Sequence, residues 1–226
     1  MHPSHRQRLS QRCEQRGLQL SVLQADRLGQ YVELLWYWRR HINLTGLQDV
    51  EHMIDVLLGE SLDFLQHDVL PPSTRVLDLG TGAGVPGIPL AVCTADLHWT
   101  LLDRSEKKIT FLRRVVSQLH LGNCQPWCST AEALARRLAA AQRFDAVVTR
   151  GVGRVALLLS LAAPLLHPGG ILVLRKPLGT PEIAEAAPLL AAGGWESLPT
   201  RPLFSEGQVQ WGLLMYRREA MLRTSE

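Results

Sequence analysis

A glycine-rich segment that begins with an acid is the strongest chemical signal in the sequence. It reads Asp78-Leu79-Gly80-Thr81-Gly82-Ala83-Gly84-Val85-Pro86-Gly87 and lies between a short β-rich run and an apolar stretch. Its first three glycines allow a tight turn and let a ligand approach the main chain without side chains in the way. The spacing also satisfies GxGxxG, which is weak by itself because a glycine turn can serve helix–strand packing alone.

Two carboxylates discriminate between the ligands that such a segment could bind. Asp103 follows Gly82 by 21 residues and ends the next predicted strand. An acid there can accept hydrogen bonds from both hydroxyls of a ribose, or it can cap the following helix. Asp78 places negative charge beside the glycines, which would repel a pyrophosphate and attract a cationic sulfonium. This favours S-adenosylmethionine over a dinucleotide, and it predicts that Asp78→Ala abolishes donor binding while leaving the fold largely intact.

The elements that must position these residues alternate between strands and helices from residue 75 onward. We predict strands at 76–79, 99–102, 125–128, 144–149 and 171–174, helices at 88–93, 106–119, 131–141, 155–166 and 182–192, and a last strand at 209–216. This alternation is typical of an α/β fold whose parallel sheet carries helices on both faces. Ligands of such sheets bind beyond the carboxyl ends of the strands, so each loop after a strand is a candidate wall of the site.

The first 70 residues differ from the rest. Apolar residues recur with helical spacing over 18–38 and over 50–65, which predicts an N-terminal helical cap over 1–70 ahead of a catalytic domain over 71–226. We expect the two to form one compact unit. Seven arginines fall in the first 40 residues against three acids, a mild indication of a nucleic-acid partner that the codon usage of a GC-rich genome would explain equally well.

Composition excludes several classes of protein. A chain of 226 residues with 46% hydrophobic and 20% charged residues is globular rather than fibrous or disordered. No apolar run approaches 18 residues and the polar, arginine-rich start is unlike a secretory signal, so we expect a cytoplasmic protein without a membrane span. The four cysteines lack CxxC spacing, which predicts reduced thiols and no metal site at Cys13, Cys93, Cys124 and Cys128.

Several motifs together resemble one protein family. Beyond the glycine segment, the sequence contains LLDRSEKKITFLRRV at 101–115, STAE at 129–132, VTRG at 148–151, LLHPGG at 165–170 and, after a tryptophan-bearing helix, NLT at 43–45. Over about residues 30–216 the chain resembles the bacterial 16S ribosomal RNA (guanine-N(7))-methyltransferase G family, also called glucose-inhibited division protein B. The glycine segment with its following proline is more specific to that family than to methyltransferases at large.

The resemblance implies a Rossmann-like, class I S-adenosylmethionine-dependent methyltransferase fold. It implies transfer of a methyl group to N7 of a guanine in the 530-loop region of 16S ribosomal RNA, with that RNA or the small ribosomal subunit as partner of a monomer. The donor contacts expected from the residues and from the family are Asp78, Gly80, Gly82, Gly84, Val85, Asp103, Ala131, Glu132 and Arg150. Two of these residues have an alternative role. Glu132 could equally be a solvated first-turn residue of its helix, and Arg150 could form a structural ion pair.

Methylation at guanine N7 needs no general base, because that nitrogen carries an in-plane lone pair and no proton at neutral pH. The sequence shows no convincing His–Asp or Ser–His constellation, and we expect catalysis by positioning, with Arg150, Lys176 and Asn43 in that role. Asn43 could instead cap the second helix. Bases could stack on Trp36, Trp38 or Trp211, although tryptophan at helical spacing also suits a core. Candidate phosphate contacts are Arg39, Arg40, Arg104, Lys107, Lys108, Arg113, Arg114 and Arg154.

Departures from the family pattern lie mostly where substrate is expected. Residues 57–61 lack the family's histidine, Pro177 stands where Leu-Lys-Gly usually ends, Gly151 replaces a common alanine, and Gln210-Trp211 replaces an Arg-His pair. They leave the donor assignment intact and the nucleic-acid target open. The alternatives are a methyltransferase for another RNA or a small molecule, an inactive RNA-binding relative of the fold, and an NAD-dependent oxidoreductase, which would leave Asp78 unexplained.

Overall fold

A computed structural model describes residues 2–70, 74–151, 153–192, 194–203 and 209–219. The chain divides into two compact units, Met1–Ser129 and Thr130–Glu226, which are described separately. The helices of the predicted cap lie in the first unit together with the first three strands. The domain boundary expected near residue 70 stays a prediction.

The first unit opens with three helices. They are α1 (Pro3–Glu14), α2 (Val22–Trp38) and the composite α3, which joins Val50–His52, a π-helical Met53–Gly59 and Glu60–Leu62. Ser21 caps α2 by accepting a hydrogen bond from the backbone N–H of Gln24, whose side chain in turn accepts from the Ser21 N–H. A 3-10 segment, Asp63–Asp68, follows α3.

Helix α1 was not predicted, because it is polar along most of its length. It is held by Leu9 and Cys13, which are buried, and by arginines that reach acids of α3 and of the segment after it. Arg8 and Arg12 both donate to Asp55, and Arg16 donates to Asp63 over 2.8 Å with only 4% and 2% of the two side chains exposed.

These pairings weaken the case for the N-terminal arginines as a nucleic-acid surface, since Arg6 is also paired, with Asp26 at 2.7 Å. Burial alone would raise the pKa of Asp55. Hydrogen bonds from Arg8 and Arg12 outweigh that effect and hold the pKa of the carboxyl well below its usual range. The arginines therefore act first as internal ion-pair donors.

Three parallel strands form the sheet of the first unit in the order β3-β2-β1. They are β1 (Arg75–Leu79), β2 (His98–Asp103) and β3 (Cys124–Cys128), and α4 (Gly87–Cys93) and α5 (Glu106–Gln118) follow β1 and β2. The predicted strands and helices of this region are confirmed to within two residues. Large side chains of the core, among them Tyr31, Trp99 and Phe111, are almost completely buried.

The second unit contains two further parallel strands and two antiparallel ones. Its strand order is β4-β5-β7-β6, with β4 beside β5 in parallel and β7 antiparallel to both β5 and β6. The elements are α6 (Ala131–Arg137), β4 (Phe144–Arg150), α7 (Val155–Ala162), β5 (Leu166–Pro177), α8 (Pro181–Glu185), α9 (Ala187–Ala191), β6 (Trp195–Pro202) and β7 (Trp211–Arg218).

The pairings among β1–β3 and between β4 and β5 are parallel as predicted, whereas β7, the predicted last strand, is antiparallel to both of its neighbours. Strand β6 was not predicted, because its side chains are mostly exposed and give no alternation of apolar and polar residues. The helix predicted over 182–192 is two short helices, with Pro188 near the start of the second. Within the described part of the chain, no helix is long and apolar enough to cross a membrane.

Candidate active site

The glycine loop after β1 combines an open backbone position with a closely packed one. Gly80, Gly82 and Gly84 have φ of 74°, 59° and 102°, all in the left-handed region that favours glycine. A Cβ at Gly82 would find its nearest neighbours, the Gly80 carbonyl oxygen and the Lys108 ammonium, at 3.9 and 4.0 Å. A Cβ at Gly84 would lie 2.7 Å from side-chain carbons of Ile88 and Leu112. Gly82 thus exposes main chain to a ligand, whereas Gly84 permits packing.

Asp78 lies beneath this loop with no exposed surface. Its Oδ2 accepts a hydrogen bond from the Thr81 hydroxyl at 2.6 Å and from the Gly87 N–H at 2.8 Å, so one carboxylate oxygen joins the loop to the first residue of α4. The expectation that its removal leaves the fold intact conflicts with this role. Because the buried carboxylate offers a ligand no surface, its predicted effect on donor binding must act through its charge and the shape of the loop.

Tyr31 is a contributor that the sequence analysis missed. Its buried hydroxyl donates a hydrogen bond of 2.9 Å to the carbonyl oxygen of Ala83, in the middle of the glycine loop. Tyr31 lies on α2, which also packs against α4 and α5. The N-terminal helices therefore help to fix the conformation of the loop. A tyrosine in an amphipathic helix gives no signal of such a contact beyond its apolar spacing.

Asp103 links the glycine loop to the turn after β2. It does not cap α5, whose N-cap residue is Ser105, and its contact with a ribose stays a prediction. One carboxylate oxygen accepts a hydrogen bond from the N–H of Gly82 at 3.0 Å, and the other accepts from the N–H of Ser105 at 2.9 Å, in the turn that leads into α5. The ammonium of Lys108 lies 3.8 Å from the first oxygen. The acid is thus next to the open backbone of the loop, 10% exposed, with a cation beside it.

Ala131 and Glu132 begin α6 in the second unit, where Ala131 is buried and Glu132 is exposed. The hydroxyl of Thr130 caps this helix by accepting from the N–H of Ala133 at 3.2 Å. Hydrogen bonds from the backbone of Glu132 itself and from Thr130 lower the pKa of the Glu132 carboxyl. This environment fits the first-turn interpretation, and contact of Ala131 and Glu132 with a donor stays a prediction.

The two cations predicted to orient RNA both lie in the second unit. Arg150 is the last residue of β4 and stands opposite Arg175 of β5 in the strand register. The ammonium of Lys176 donates to the carbonyl oxygen of Gly153 at 2.8 Å and to a carboxylate oxygen of Glu182 at 3.1 Å. Lys176 therefore braces Gly153 and is paired with Glu182, and the roles of Arg150 and Lys176 in orienting RNA stay predictions.

Asn43 is exposed, and it makes no hydrogen bond to any residue that the structure describes. It does not cap the helix that follows, because Asp49 does so by accepting from the N–H of His52 at 2.7 Å. The capping alternative for Asn43 is therefore wrong. A role in positioning substrate stays a prediction.

Several other predicted RNA contacts are engaged within the protein. Arg113 pairs with Glu106 at 2.9 Å and Arg154 with Glu185 at 2.8 Å. The Arg39 guanidinium lies 3.5 Å from the Trp36 ring centroid, and Arg175 lies 4.1 Å from that of Trp211. Trp211, a predicted stacking residue, therefore packs against the buried side chain of Arg175.

A His–Asp pair exists that the sequence analysis did not detect. The Nε2 of His167 lies 2.9 Å from Oδ1 of Asp145, at the amino ends of β5 and β4. Ligands of parallel sheets bind at the carboxyl ends of the strands, and this pair lies at the amino ends of its two strands. No cluster of three metal-ligating side chains occurs among the residues that are described.

The donor set of the first unit fits a nucleoside with a cationic side chain. The open backbone at Gly82 lies within hydrogen-bond distance of the Asp103 carboxylate, which is the acceptor that ribose hydroxyls need. The buried charge of Asp78 beneath the same loop favours a positive group above it. A pyrophosphate would meet two carboxylates at this site.

Comparison with known proteins gives a consistent result. The sequence model of the family described as rRNA small subunit methyltransferase G matches residues 24–192. A ribosomal RNA small subunit methyltransferase G from Clostridium beijerinckii is 34% identical over 179 residues, covering 79% of this chain and 75% of the relative. A protein of the same name from Neisseria meningitidis is 40% identical over 154 residues, covering 68% of this chain and 71% of the relative.

Solved structures share the fold at low sequence identity. A precorrin-6y C5,15-methyltransferase from Geobacter metallireducens aligns with a TM-score of 0.52 at 15% identity, over 78% of this chain and 91% of that one. An rRNA methylase from Streptococcus thermophilus aligns with a TM-score of 0.50 at 17% identity, over 73% and 97% of the two chains. These likenesses confirm the predicted Rossmann-like methyltransferase fold.

Proposed function

Because this chain belongs to the rRNA small subunit methyltransferase G family, we propose that it methylates N7 of a guanine in 16S ribosomal RNA, in the 530-loop region. The family match and the fold identify it as an S-adenosylmethionine-dependent methyltransferase. The observation that carries the proposal is the open backbone of Gly82 beside Asp103, within a sequence that matches the family from 24 to 192. A cytoplasmic monomer acting on this RNA or on the small subunit is part of the same proposal.

When bound, S-adenosylmethionine supplies a methyl group on a positively charged sulfur. We expect Asp103 to accept hydrogen bonds from the ribose, in exchange for the bond that it now accepts from the Gly82 N–H. The loop from Gly80 to Val85 presents main chain to the rest of the donor, held from below by Asp78 and from the side by Tyr31. We assign Ala131, Glu132 and Arg150 to the remaining donor contacts, on the resemblance to the family.

The guanine N7 lone pair attacks the methyl carbon as the bond from that carbon to sulfur breaks, and the electron pair of the breaking bond stays on sulfur. No proton moves in this step, so the protein needs no base at the reacting nitrogen. Its contribution is to hold nitrogen, carbon and sulfur in line, and well-oriented reactions gain about 7–11 kcal/mol in this way. Arg150, Lys176 and Asn43 are our candidates for positioning the base.

The experiment is methylation of RNA by the purified protein, followed by mapping of the product. With wild-type protein and S-adenosylmethionine, we expect one 7-methylguanosine in 16S ribosomal RNA, either naked or within small subunits. Nucleoside mass spectrometry identifies the modified atom, and cleavage at 7-methylguanosine identifies the position. Methylation at another guanine atom, or of no RNA at all, contradicts the proposal.

The competing functions are separated by calorimetry. Micromolar or tighter binding of S-adenosylmethionine, without binding of NAD, is the result expected of a methyltransferase. Binding of neither ligand would identify an inactive relative of the fold, whereas binding of NAD would indicate an oxidoreductase. Donor binding without methylation of ribosomal RNA would point to another acceptor.

A further inference from the structure

A cavity of about 600 Å³ lies between the end of α2 and the part of α5 from Glu106 to Arg114, inside the first unit. Trp38 and Phe111 form its aromatic wall, with ring centroids 6.3 Å apart. Its volume is within the usual range for pockets that hold small molecules and cofactors. The other lining residues are His41, Ile42, Glu106, Lys107, Thr110 and Arg114.

The rim of this cavity carries uncompensated positive charge. Lys107 and Arg114 are exposed, and across the described ranges neither forms an ion pair with a carboxylate. The single acid of the lining, Glu106, pairs with Arg113 at 2.9 Å. The Arg114 guanidinium lies 5.7 Å from the centroid of the Trp38 ring. A flat aromatic surface is thus next to two cations that have no anionic partner among the described residues.

Three of the lining residues recur along α5 with helical spacing. Lys107, Thr110 and Arg114 lie at i, i+3 and i+7, on one face of the helix, and span about 10 Å along its axis at 1.5 Å per residue. The ammonium of Lys108, the residue after Lys107, lies 3.8 Å from a carboxylate oxygen of Asp103. One helix therefore carries the cations of the cavity and the cation that neighbours the candidate ribose acid.

We propose that this cavity binds a nucleotide of the substrate RNA other than the methylated guanine, with its base against Trp38 and a phosphate at Lys107 and Arg114. This inference rests on the RNA methyltransferase function proposed above. Aromatic platforms combined with cations are the usual means of holding single-stranded nucleic acid, and stacking accepts any base. An acidic peptide would satisfy the cations but would leave the aromatic wall without a flat partner.

The aromatic wall is tested with Trp38→Leu, which keeps apolar bulk, and with Trp38→Phe, which keeps a ring. Steady-state methylation of small subunits gives KM and kcat for each variant. Loss of one base stack is expected to raise KM by about 5- to 150-fold, with kcat within about twofold of wild type. Trp38→Phe is expected to restore most of the affinity. Calorimetry with S-adenosylmethionine serves as the check that the donor site is intact.

The cations are tested with the double variant Lys107→Gln/Arg114→Gln. The probe is a fluorescein-labelled single-stranded oligoribonucleotide, and its affinity is measured by anisotropy as a function of salt. Loss of the phosphate contact that the two cations share should lower the slope of log affinity against log salt by about 0.7. Arg136→Gln/Arg137→Gln is the matched control, because it removes two exposed cations from the end of α6.

The outcomes distinguish this inference from the proposed function. If wild-type protein methylates no RNA, the function fails, whereas the oligonucleotide measurement still tests the cavity. If methylation is normal and the variants keep both KM and the salt slope, the cavity does not bind RNA. Equal losses of slope in both double variants would show a general charge effect and overturn the proposal. A fall in kcat at constant KM in Trp38→Leu would also overturn it, since that result places the reacting base in the cavity.

Discussion

Replacement of Asp78 by alanine tests the link between the fold and donor binding. The substitution leaves the Thr81 hydroxyl and the Gly87 N–H, which now donate at 2.6 and 2.8 Å, without their acceptor. Each buried donor left unsatisfied costs about 1–3 kcal/mol, so the two together cost about 2–6 kcal/mol. Removing a buried charge also relieves its desolvation, which places the expected loss in the lower half of that range.

Loss of this magnitude is large against the roughly 5–15 kcal/mol by which domains are usually stable. We therefore expect Asp78→Ala to lower the free energy of unfolding measurably and to abolish binding of S-adenosylmethionine. Asp78→Asn separates charge from shape, because an amide oxygen in the place of Oδ2 can still accept from both donors. The asparagine variant should be more stable than the alanine variant and still bind the donor more weakly than wild type.

The assays are urea denaturation monitored by circular dichroism and calorimetric titration with S-adenosylmethionine. The control is Asp26→Ala, which removes an exposed acid paired with Arg6 and should change the stability by about 1 kcal/mol or less. An Asp78→Ala protein as stable as wild type would refute the structural role of the carboxylate. An unchanged dissociation constant in Asp78→Asn would refute the argument that its charge favours a cationic donor.

Three further predictions concern the loop, the N-terminal helix and the thiols. Gly82→Ala should fold, because its Cβ has no neighbour closer than 3.9 Å, but it should weaken donor binding at least tenfold. The control is Gly17→Ala, which has φ of +68° and open space around it. It carries the same backbone cost away from the site and should bind the donor normally. Asp55→Asn should flatten the pH dependence of stability on the acid side. The pKa of Asp55 is depressed in the folded state, so its contribution is present above the unfolded value and is lost as the pH falls below about 4, and urea titrations from pH 7 to 3 measure it. Burial raises the pKa of Cys13 to about 11 and that of Cys93 to about 12, so iodoacetamide at pH 8 should leave both unmodified in native protein; rapid labelling of either thiol, seen by mass spectrometry, would contradict their packing.

Much of the fold of the first unit could be predicted from sequence because its elements carry strong periodic signals. The strands after residue 75 are short apolar runs, and α5 has an apolar face formed by Ile109, Phe111, Leu112 and Val115. Helix α1 could not be predicted in the same way, since long-range pairs such as Arg16 with Asp63 hold it. The exposed strand β6 also lacked a local signal, whereas β7 was predicted as a strand over 209–216 without its antiparallel pairing.

The same distinction between local signals and long-range contacts applies to the candidate site. The glycine loop and the position of Asp103 could be predicted, because positive φ angles require glycine and because Asp103 lies at the end of a predicted strand. The burial of Asp78, the contact from Tyr31 and the pairing of Lys176 with Glu182 depend on packing between distant segments. Residue types alone gave no reason to expect that two of the predicted functional charges already serve the fold.

The most direct test is the analysis of 16S ribosomal RNA from a strain that lacks this protein, before and after the purified protein and S-adenosylmethionine are added. We predict that one 7-methylguanosine is missing from the deletion strain, that addition restores it at the same position, and that Asp78→Ala protein does not restore it. RNA from the deletion strain with its full content of 7-methylguanosine would contradict the account.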